Sequence, residues 1–285
     1  MKTITEIESK LKEHGVESSR INAETILTSI LGCRVVDLYV EDVELGPGQL
    51  KQLEDMVERR ISGEPLQYIT GKVNFYGNEL LIEPGVFIPR SETEILVETV
   101  IKQFTIYDMR YAICEPLVLD LCTGSGNIAI SLTKRLAGCK ILASDISDAA
   151  IRLARKNAAY NGVSERIDFI KADLFKIPVI YKERFDAIVS NPPYVASDMM
   201  NDLPVDVKNE PHAALYGGRD GMDFYQRIVK ESPGFLKDKG ILFLELGDDA
   251  AIKVKKFFEK SIYFDNVQTF NDLNKRERVI AASKV

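Results

Sequence analysis

Leu117-Val-Leu-Asp-Leu-Cys-Thr-Gly-Ser-Gly-Asn127 runs from an apolar strand into a glycine-rich turn and then into a helix. Gly124 and Gly126 let the backbone turn sharply and approach a ligand that a β-carbon would exclude. Gly124-x-Gly126-x-x-Ala129 also fits a dinucleotide fingerprint, and glycines after strands close ordinary turns too, so the loop alone leaves its role open. Asp145 ends the next apolar run, Lys140-Ile-Leu-Ala-Ser-Asp, about twenty residues beyond the loop. There a carboxylate can accept both hydroxyls of a ribose, or cap the helix that begins at Ser147 and Asp148. Asp173, in Lys171-Ala-Asp-Leu-Phe, ends a third run and could meet an adenine amino group or cap a surface turn.

Outward from this stretch, strands are expected at 117–121, 140–145, 167–172, 185–190 and 240–246. Helices are expected near 127–137, 148–161, 222–236 and 249–260. Two last extended runs, 264–270 and 277–283, are separated by a linker too short for a crossover helix and should form an antiparallel hairpin. The pattern describes an α/β fold: a doubly wound, seven-stranded sheet with a terminal antiparallel hairpin. Upstream the period is helical. Ile4, Ile7 and Leu11, then Ile21, Ile26, Leu27, Ile30 and Leu31, then Leu50, Leu53, Val57 and Ile61 recur at three- and four-residue steps. Ser18 or Ser19 would cap the second helix, and Gly46-Pro47-Gly48 opens the third. The expected divisions are a helical domain over 1–72, a β-hairpin linker over 73–90 turning at Gly77-Asn78, and the α/β domain over 91–285, with a further helix from about residue 92.

The chain has 285 residues, 45% hydrophobic and 28% charged, with a formal net charge of −6. Such a chain buries a sizeable core, and its acidic balance argues against broad non-specific nucleic-acid binding. Arg152, Arg155 and Lys156 share one helix face, which reads as solvated surface rather than a basic track. The longest apolar runs, such as Ile241–Leu246, are too short to span a bilayer. Acidic residues stand near the start where a secretory signal would be apolar. Cys33, Cys114, Cys122 and Cys139 show neither metal-type spacing nor a disulfide framework. A reduced, cytoplasmic setting is expected, with no metal and no membrane partner.

Asn191-Pro192-Pro193-Tyr194 follows the strand Phe185-Asp-Ala-Ile-Val-Ser190 directly. Two prolines remove two backbone donors and fix two φ angles, so the strand must end there. The Asn191 side-chain oxygen and the Pro192 carbonyl are acceptors on a rigid turn. Together they can hold the two hydrogens of a planar –NH2 group while the Tyr194 ring packs on its face. Asp120, Asp145, Asp173 and Asn191 thus end four successive strands, on the edge where open α/β sheets bind ligands.

At these residues the chain resembles class I S-adenosylmethionine-dependent methyltransferases, whose amino-group branch carries Asn/Asp-Pro-Pro-Tyr/Phe after the fourth strand. Glu64-Pro-Leu-Gln-Tyr-Ile-Thr-Gly71, Phe87-Ile-Pro-Arg-Ser-Glu-Thr-Glu94 and Glu210-Pro-His-Ala-Ala-Leu-Tyr-Gly-Gly-Arg-Asp-Gly221 are similar to the peptide release factor glutamine methyltransferase family, as is the helical N-terminal region. The resemblance covers essentially the whole chain. It implies a Rossmann-like methyltransferase domain and S-adenosyl-L-methionine as cofactor. The loop Cys122, Thr123, Gly124, Ser125 and Gly126 would hold its methionine part and Asp145 its ribose. Leu174, following Asp173, would border adenine, and Asp120 and Ile146 would also belong to the cofactor site. Asn191 would face both cofactor and substrate. Some relatives carry an aromatic at the Leu174 position, and the family usually has proline where Ser91 stands.

The same resemblance implies methylation of the side-chain amide of the glutamine in a release factor's Gly-Gly-Gln motif, tuning translation termination. Asn191, Pro192 and Tyr194 would be catalytic, with Pro193, Phe87 and Arg90 completing the substrate site. Arg90 could equally pair with Glu92 or Glu94. The helical domain would grip the release factor, with the protein acting as a monomer and without nucleic acid. His14 and His212 are not expected to act. A nucleic-acid methyltransferase acting on an adenine or guanine exocyclic amine offers the same –NH2 geometry and is the alternative. A factor-binding module without catalysis would not need the glycine loop or Asn191, and an NAD-dependent dehydrogenase would leave residues 191–194 unexplained.

Overall fold

A computed structural model of the protein describes residues 2–40, 44–107 and 115–285. Cys114 lies outside the described residues. The chain forms two units: Met1–Lys72 with Pro204–Asn209, and Val73–Leu203 with Glu210–Val285.

The smaller unit is built on helices Lys2–Glu13, Ser19–Leu31 and Pro47–Ile61, with short helices at Asp37–Val40 and Leu66–Thr70. Ile4, Ile7, Leu11, Ile26, Leu27, Leu53 and Val57 close on one another, as their helical spacing requires. Ile21 and Leu50, which share that spacing, face outward instead. Ser18 stands at the N-cap of the second helix without a side-chain cap bond, because its φ of 50° is left-handed. Ser19 instead donates to the Val16 carbonyl at 2.6 Å. The segment Pro204–Asn209 joins this unit at Gly63, whose φ of 92° and lack of a β-carbon admit the Val205 side chain. Asn209 donates to the Gly63 carbonyl at 2.9 Å, and Arg60 pairs with Asp206 at 3.3 Å.

β1 (Lys72–Phe75), which belongs to the larger unit from Val73 onward, pairs with β2 (Asn78–Leu81) in a two-stranded sheet. Its turn pair is Tyr76-Gly77, both at positive φ, rather than Gly77-Asn78, since Asn78 already belongs to the second strand. Phe75 and Leu80 are buried in this unit's core. A helix, Thr93–Lys102, follows, and leads into a single wider turn, Gln103–Tyr107.

The main sheet comprises β3 (Leu117–Leu121), β4 (Lys140–Asp145), β5 (Ile167–Lys171), β6 (Phe185–Ser190), β7 (Leu236–Glu245), β8 (Phe264–Asn271) and β9 (Glu277–Lys284). Their order is β5-β4-β3-β6-β7-β9-β8. The first five are parallel, and β9 is antiparallel to both of its neighbours. Helices Asn127–Arg135, Asp148–Tyr160, Asp223–Glu231 and Ala251–Glu259 connect them. Val118 and Ile141 pack on one face and Leu119 and Leu142 on the other, so the strands are apolar on both sides, as buried parallel strands are.

The helix expected over 222–236 stops at Glu231. Pro233 cannot continue it, and a 3₁₀ turn, Ser232–Gly234, leads into β7 four residues before the expected start. Arg155 donates to the Phe169 carbonyl at 2.6 Å, and Lys156 pairs with Glu83 at 2.8 Å. Among the described residues no helix is long and apolar enough to cross a membrane.

Candidate active site

Strand order reverses at β3, which has β4 on one side and β6 on the other, and ligands of open α/β sheets bind at such a point. The register aligns Leu121 with Ser144 and with Ser190, so the segments after β3, β4 and β6 emerge side by side at the carboxyl edge. The Ser190 hydroxyl donates to the Leu121 carbonyl at 2.9 Å and ties two of these exits together.

The glycine loop is held from several sides. Thr123 donates from its backbone to the Ser144 carbonyl at 3.0 Å and from its hydroxyl to Asp120 at 2.6 Å. Gly124 donates to one oxygen of Asp145 and Ser147 to the other, each at 2.9 Å. Ser147 itself caps the following helix, accepting from the Ala150 backbone. Asp145 is therefore not the helix cap. Its oxygens are anchored by backbone N–H groups and retain lone pairs for further donors. Burial raises its pKa, which those backbone bonds partly offset.

The two glycines serve different purposes. A β-carbon on Gly126 would lie 3.2 Å from that of Ala154, so this glycine admits the helix Asp148–Tyr160. A β-carbon on Gly124 would meet nothing within 4 Å, so this glycine, at φ 56°, leaves open room beside the loop. Ile146, which follows Asp145 in the chain, is 60% exposed. Open space over Gly124 and an anchored carboxylate with free lone pairs at Asp145 fit the needs of S-adenosylmethionine, room for a bulky group beside the loop and an acceptor for ribose hydroxyls.

Other expected contacts are arranged differently. Asp120 is wholly buried, turned toward the Thr123 hydroxyl, and burial pushes its pKa up to about 7. Ser125 is buried as well. Leu174 is packed into the core at a left-handed φ of 49°. The carboxylate of Asp173 pairs with Lys176 and with Arg227, both at 2.8 Å, and these cations hold its pKa down. Cys122 adopts a left-handed φ of 60°, and burial drives its thiol pKa upward.

At the end of β6, Pro192 and Pro193 are buried and Asn191 and Tyr194 half-buried. The Asn191 amide nitrogen donates to the Thr93 hydroxyl at 3.0 Å, which leaves its side-chain oxygen as the end available to a donor. Tyr194 rests on glycines: β-carbons at Gly217 and Gly247 would come within 2.6 Å of its Cα and its ring, respectively. The loop carrying Gly217 is stitched to the turn by Val195 N–H to the Leu215 carbonyl and Gly217 N–H to the Val195 carbonyl, both at 2.8 Å. Burial drives the Tyr194 phenol pKa up, so the ring stays neutral.

Arg90 pairs with Glu210, not with Glu92 or Glu94. Glu210 is buried and also accepts from the Ile88 backbone at 3.0 Å. The Arg90 guanidinium lies 4.9 Å from the centre of the Phe87 ring. His14 is exposed in the smaller unit, while His212 opens a short helix, His212–Leu215, and packs against Tyr216.

Three residues escaped the sequence reading. Asn157 bonds to both backbone groups of Leu81 and to the Ser125 carbonyl at 3.0 Å, fixing the glycine loop to β2. Its position inside a helix gave no signal. Thr93 and Glu245 stand behind Asn191. Glu245 is 2% exposed, burial pushes its carboxyl up to about 7, and hydrogen bonds from Thr93 and Asn191 act against that rise. The parallel register that aligns Ser190 with Leu244 puts Asn191 and Glu245 next to each other.

A seven-stranded sheet of this order, with an open glycine loop, a ribose-type carboxylate and Asn-Pro-Pro-Tyr at the fourth parallel strand, defines an S-adenosylmethionine-dependent methyltransferase. Residues 2–71 match the PrmC N-terminal domain and residues 80–205 the methyltransferase small domain. The release factor glutamine methyltransferase of Geobacter sulfurreducens is 39% identical over 95% of this chain and 91% of its own length. That of Clostridium acetobutylicum is 36% identical over 96% and 94%. The chain belongs to the release factor glutamine methyltransferase family. Among solved structures, the catalytic domain of hMettl16, crystallised with a MAT2A 3'UTR hairpin, shares the fold at a TM-score of 0.58. It is 16% identical and covers 85% of this chain and 82% of that one.

Proposed function

We propose that this enzyme transfers the methyl group of S-adenosylmethionine to the side-chain amide nitrogen of the glutamine in the Gly-Gly-Gln motif of peptide chain release factors. The observation that carries this reading is the orientation of Asn191, whose nitrogen is spent on Thr93 and whose oxygen is left to accept. An amide nitrogen is a weak nucleophile because its lone pair is delocalised into the carbonyl. Asn191 and the Pro192 carbonyl would accept its two hydrogens, while the Tyr194 ring fixes the amide plane. The lone pair then points at the methyl carbon, and alignment of this kind removes a large part of a displacement barrier.

The cofactor supplies an electrophilic methyl group on a sulfonium. Transfer would form the N–C bond as the C–S bond of the bound cofactor breaks, with that electron pair returning to sulfur. Positive charge growing on nitrogen would be stabilised by the same two oxygens, and the N–H proton, strongly acidic once the methyl is attached, would pass to water. Asp145, the open space at Gly124 and Ile146 would hold the cofactor. Asp120, buried, braces the loop through the Thr123 hydroxyl, Ser125 is buried within it, and Asp173 braces the helix Asp223–Glu231 through Arg227. Phe87 and Arg90 would border the glutamine, with Arg90 set by Glu210.

The test is Asn191→Ala. Turnover on an intact release factor should fall by about 10²-fold or more, with cofactor affinity by calorimetry within about twofold of the parent. Equal losses in turnover and cofactor affinity would remove Asn191 from the substrate site.

A further inference from the structure

Which end of the Asn191 amide faces the substrate is not fixed by the Asn-Pro-Pro-Tyr turn itself. A carboxamide rotated by half a turn occupies nearly the same volume but presents –NH2 where oxygen was. Presented to a substrate –NH2, that end would set donor against donor. Something must therefore discriminate the two orientations, and it has to sit on the inner side of the side chain.

Thr93 occupies that place. It begins the helix Thr93–Lys102, is 1% exposed, and its Oγ1 lies 3.0 Å from the Asn191 nitrogen. A hydroxyl can donate as well as accept, so alone it would tolerate either orientation. Glu245 removes the ambiguity. Its buried carboxyl lies next to Asn191 across the register of β6 and β7, and its Oε2 has no hydrogen-bond partner, so an acceptor stands there that favours the N–H end of the amide and repels its oxygen. Glu245 is in turn held by its own backbone: the Tyr225 hydroxyl donates to its carbonyl at 2.9 Å and accepts from the Gly247 N–H at 3.1 Å.

We propose that Thr93, backed by Glu245, is a positioning residue that locks the Asn191 amide with its oxygen toward the substrate glutamine. This rests on the assignment of Asn191 to the substrate site. It adds a claim about residues outside the motif, on a helix and a strand distant in sequence.

The experiment uses the full chain with an intact release factor. Thr93→Val keeps the shape and removes the hydroxyl. The expected result is a fall in kcat of about tenfold to a hundredfold, with KM for the factor and Kd for the cofactor within about twofold. Thr93→Ser should restore most of the rate. Glu245→Gln, which still offers a carbonyl oxygen, should retain more activity than Thr93→Val.

In an Asn191→Ala background, followed by single-turnover label transfer, Thr93→Val should cost nothing further, because there is no amide left to orient. A kcat unchanged in Thr93→Val, no rescue by serine, or a full additional loss in the Asn191→Ala background would each overturn the proposal. If Asn191→Ala itself keeps full turnover, the substrate-site assignment is what fails. If Asn191→Ala is inactive while Thr93→Val is normal, only the positioning role falls. Thermal melts of each variant separate misfolding from misalignment, and a Thr93→Val chain that fails to fold leaves the decision to serine and Glu245→Gln, where a tenfold loss in Thr93→Ser would count against the role.

Discussion

Tyr194 is positioned by what its neighbours lack. Gly247 has an ordinary backbone conformation, so alanine would be tolerated there except that its β-carbon would sit 2.6 Å from the Tyr194 ring. Gly247→Ala is thus a steric test of the ring's placement, free of backbone strain. Overpacking of this kind costs about 1–3 kcal/mol. We expect kcat to fall by about tenfold or more while cofactor affinity holds, measured by label transfer and calorimetry. Gly124→Ala should do the reverse. It places a methyl in the open space beside the loop and strains a φ of 56°, so cofactor affinity should weaken by about tenfold with less effect on the bound-state rate. Unchanged affinity would move the cofactor away from that glycine.

Among the elements, the end of β7 carries the most consequence. Tyr225 is wholly buried, and its hydroxyl bridges the Glu245 carbonyl and the Gly247 N–H. Tyr225→Phe leaves both backbone groups unpaired in the core, a cost of about 1–3 kcal/mol. Urea unfolding should show a lower midpoint at an unchanged slope. An unchanged midpoint would mean that the bridge does not bear on stability. These elements also mark where sequence reading succeeded and where it stopped. Apolar runs on both faces announced the parallel strands, and the linker after Asn271 announced the hairpin, because those signals are local. Pro233 is an equally local signal for the end of its helix, and in the structure it overrides the longer helical period. The partner of Arg90 was not local at all: Glu210 lies on a loop 120 residues away, and only the fold brings them together. Thr93 and Glu245 were hidden for the same reason. A threonine opening a helix and a glutamate ending a strand are ordinary until the register aligns them with Asn191.

For the whole molecule, two of the buried acids, Asp120 and Glu245, set a pH dependence. Asp120 and Glu245 shift from ordinary carboxyl values of 3.8 and 4.5 to about 7, both because burial disfavours the charge. The folded chain then holds more protons than the unfolded one between those values, so stability falls as pH rises through that window. Their contribution is full below the unfolded values and gone above the folded ones. Carboxylates held low by cations, such as Glu64 beside Arg59 and Glu277 beside Lys255, act in the opposite sense at lower pH. Stability of the cofactor-free protein should be greater near about pH 5.5 than near about pH 8, by on the order of a few kcal/mol. Asp120→Asn should flatten that fall; a stability that rises over the same interval would contradict it.

The central claim is the chemistry of the substrate amide, and one measurement addresses it directly. The purified chain is incubated with methyl-labelled S-adenosylmethionine and a peptide release factor, beside a copy of the factor whose Gly-Gly-Gln glutamine is replaced, and beside a mixture of tRNA, rRNA and DNA. Label should enter the intact factor and neither of the others. Label in nucleic acid alone would mean that Asn191 to Tyr194 grips a base, and the glutamine assignment would be wrong while the fold and the cofactor stood.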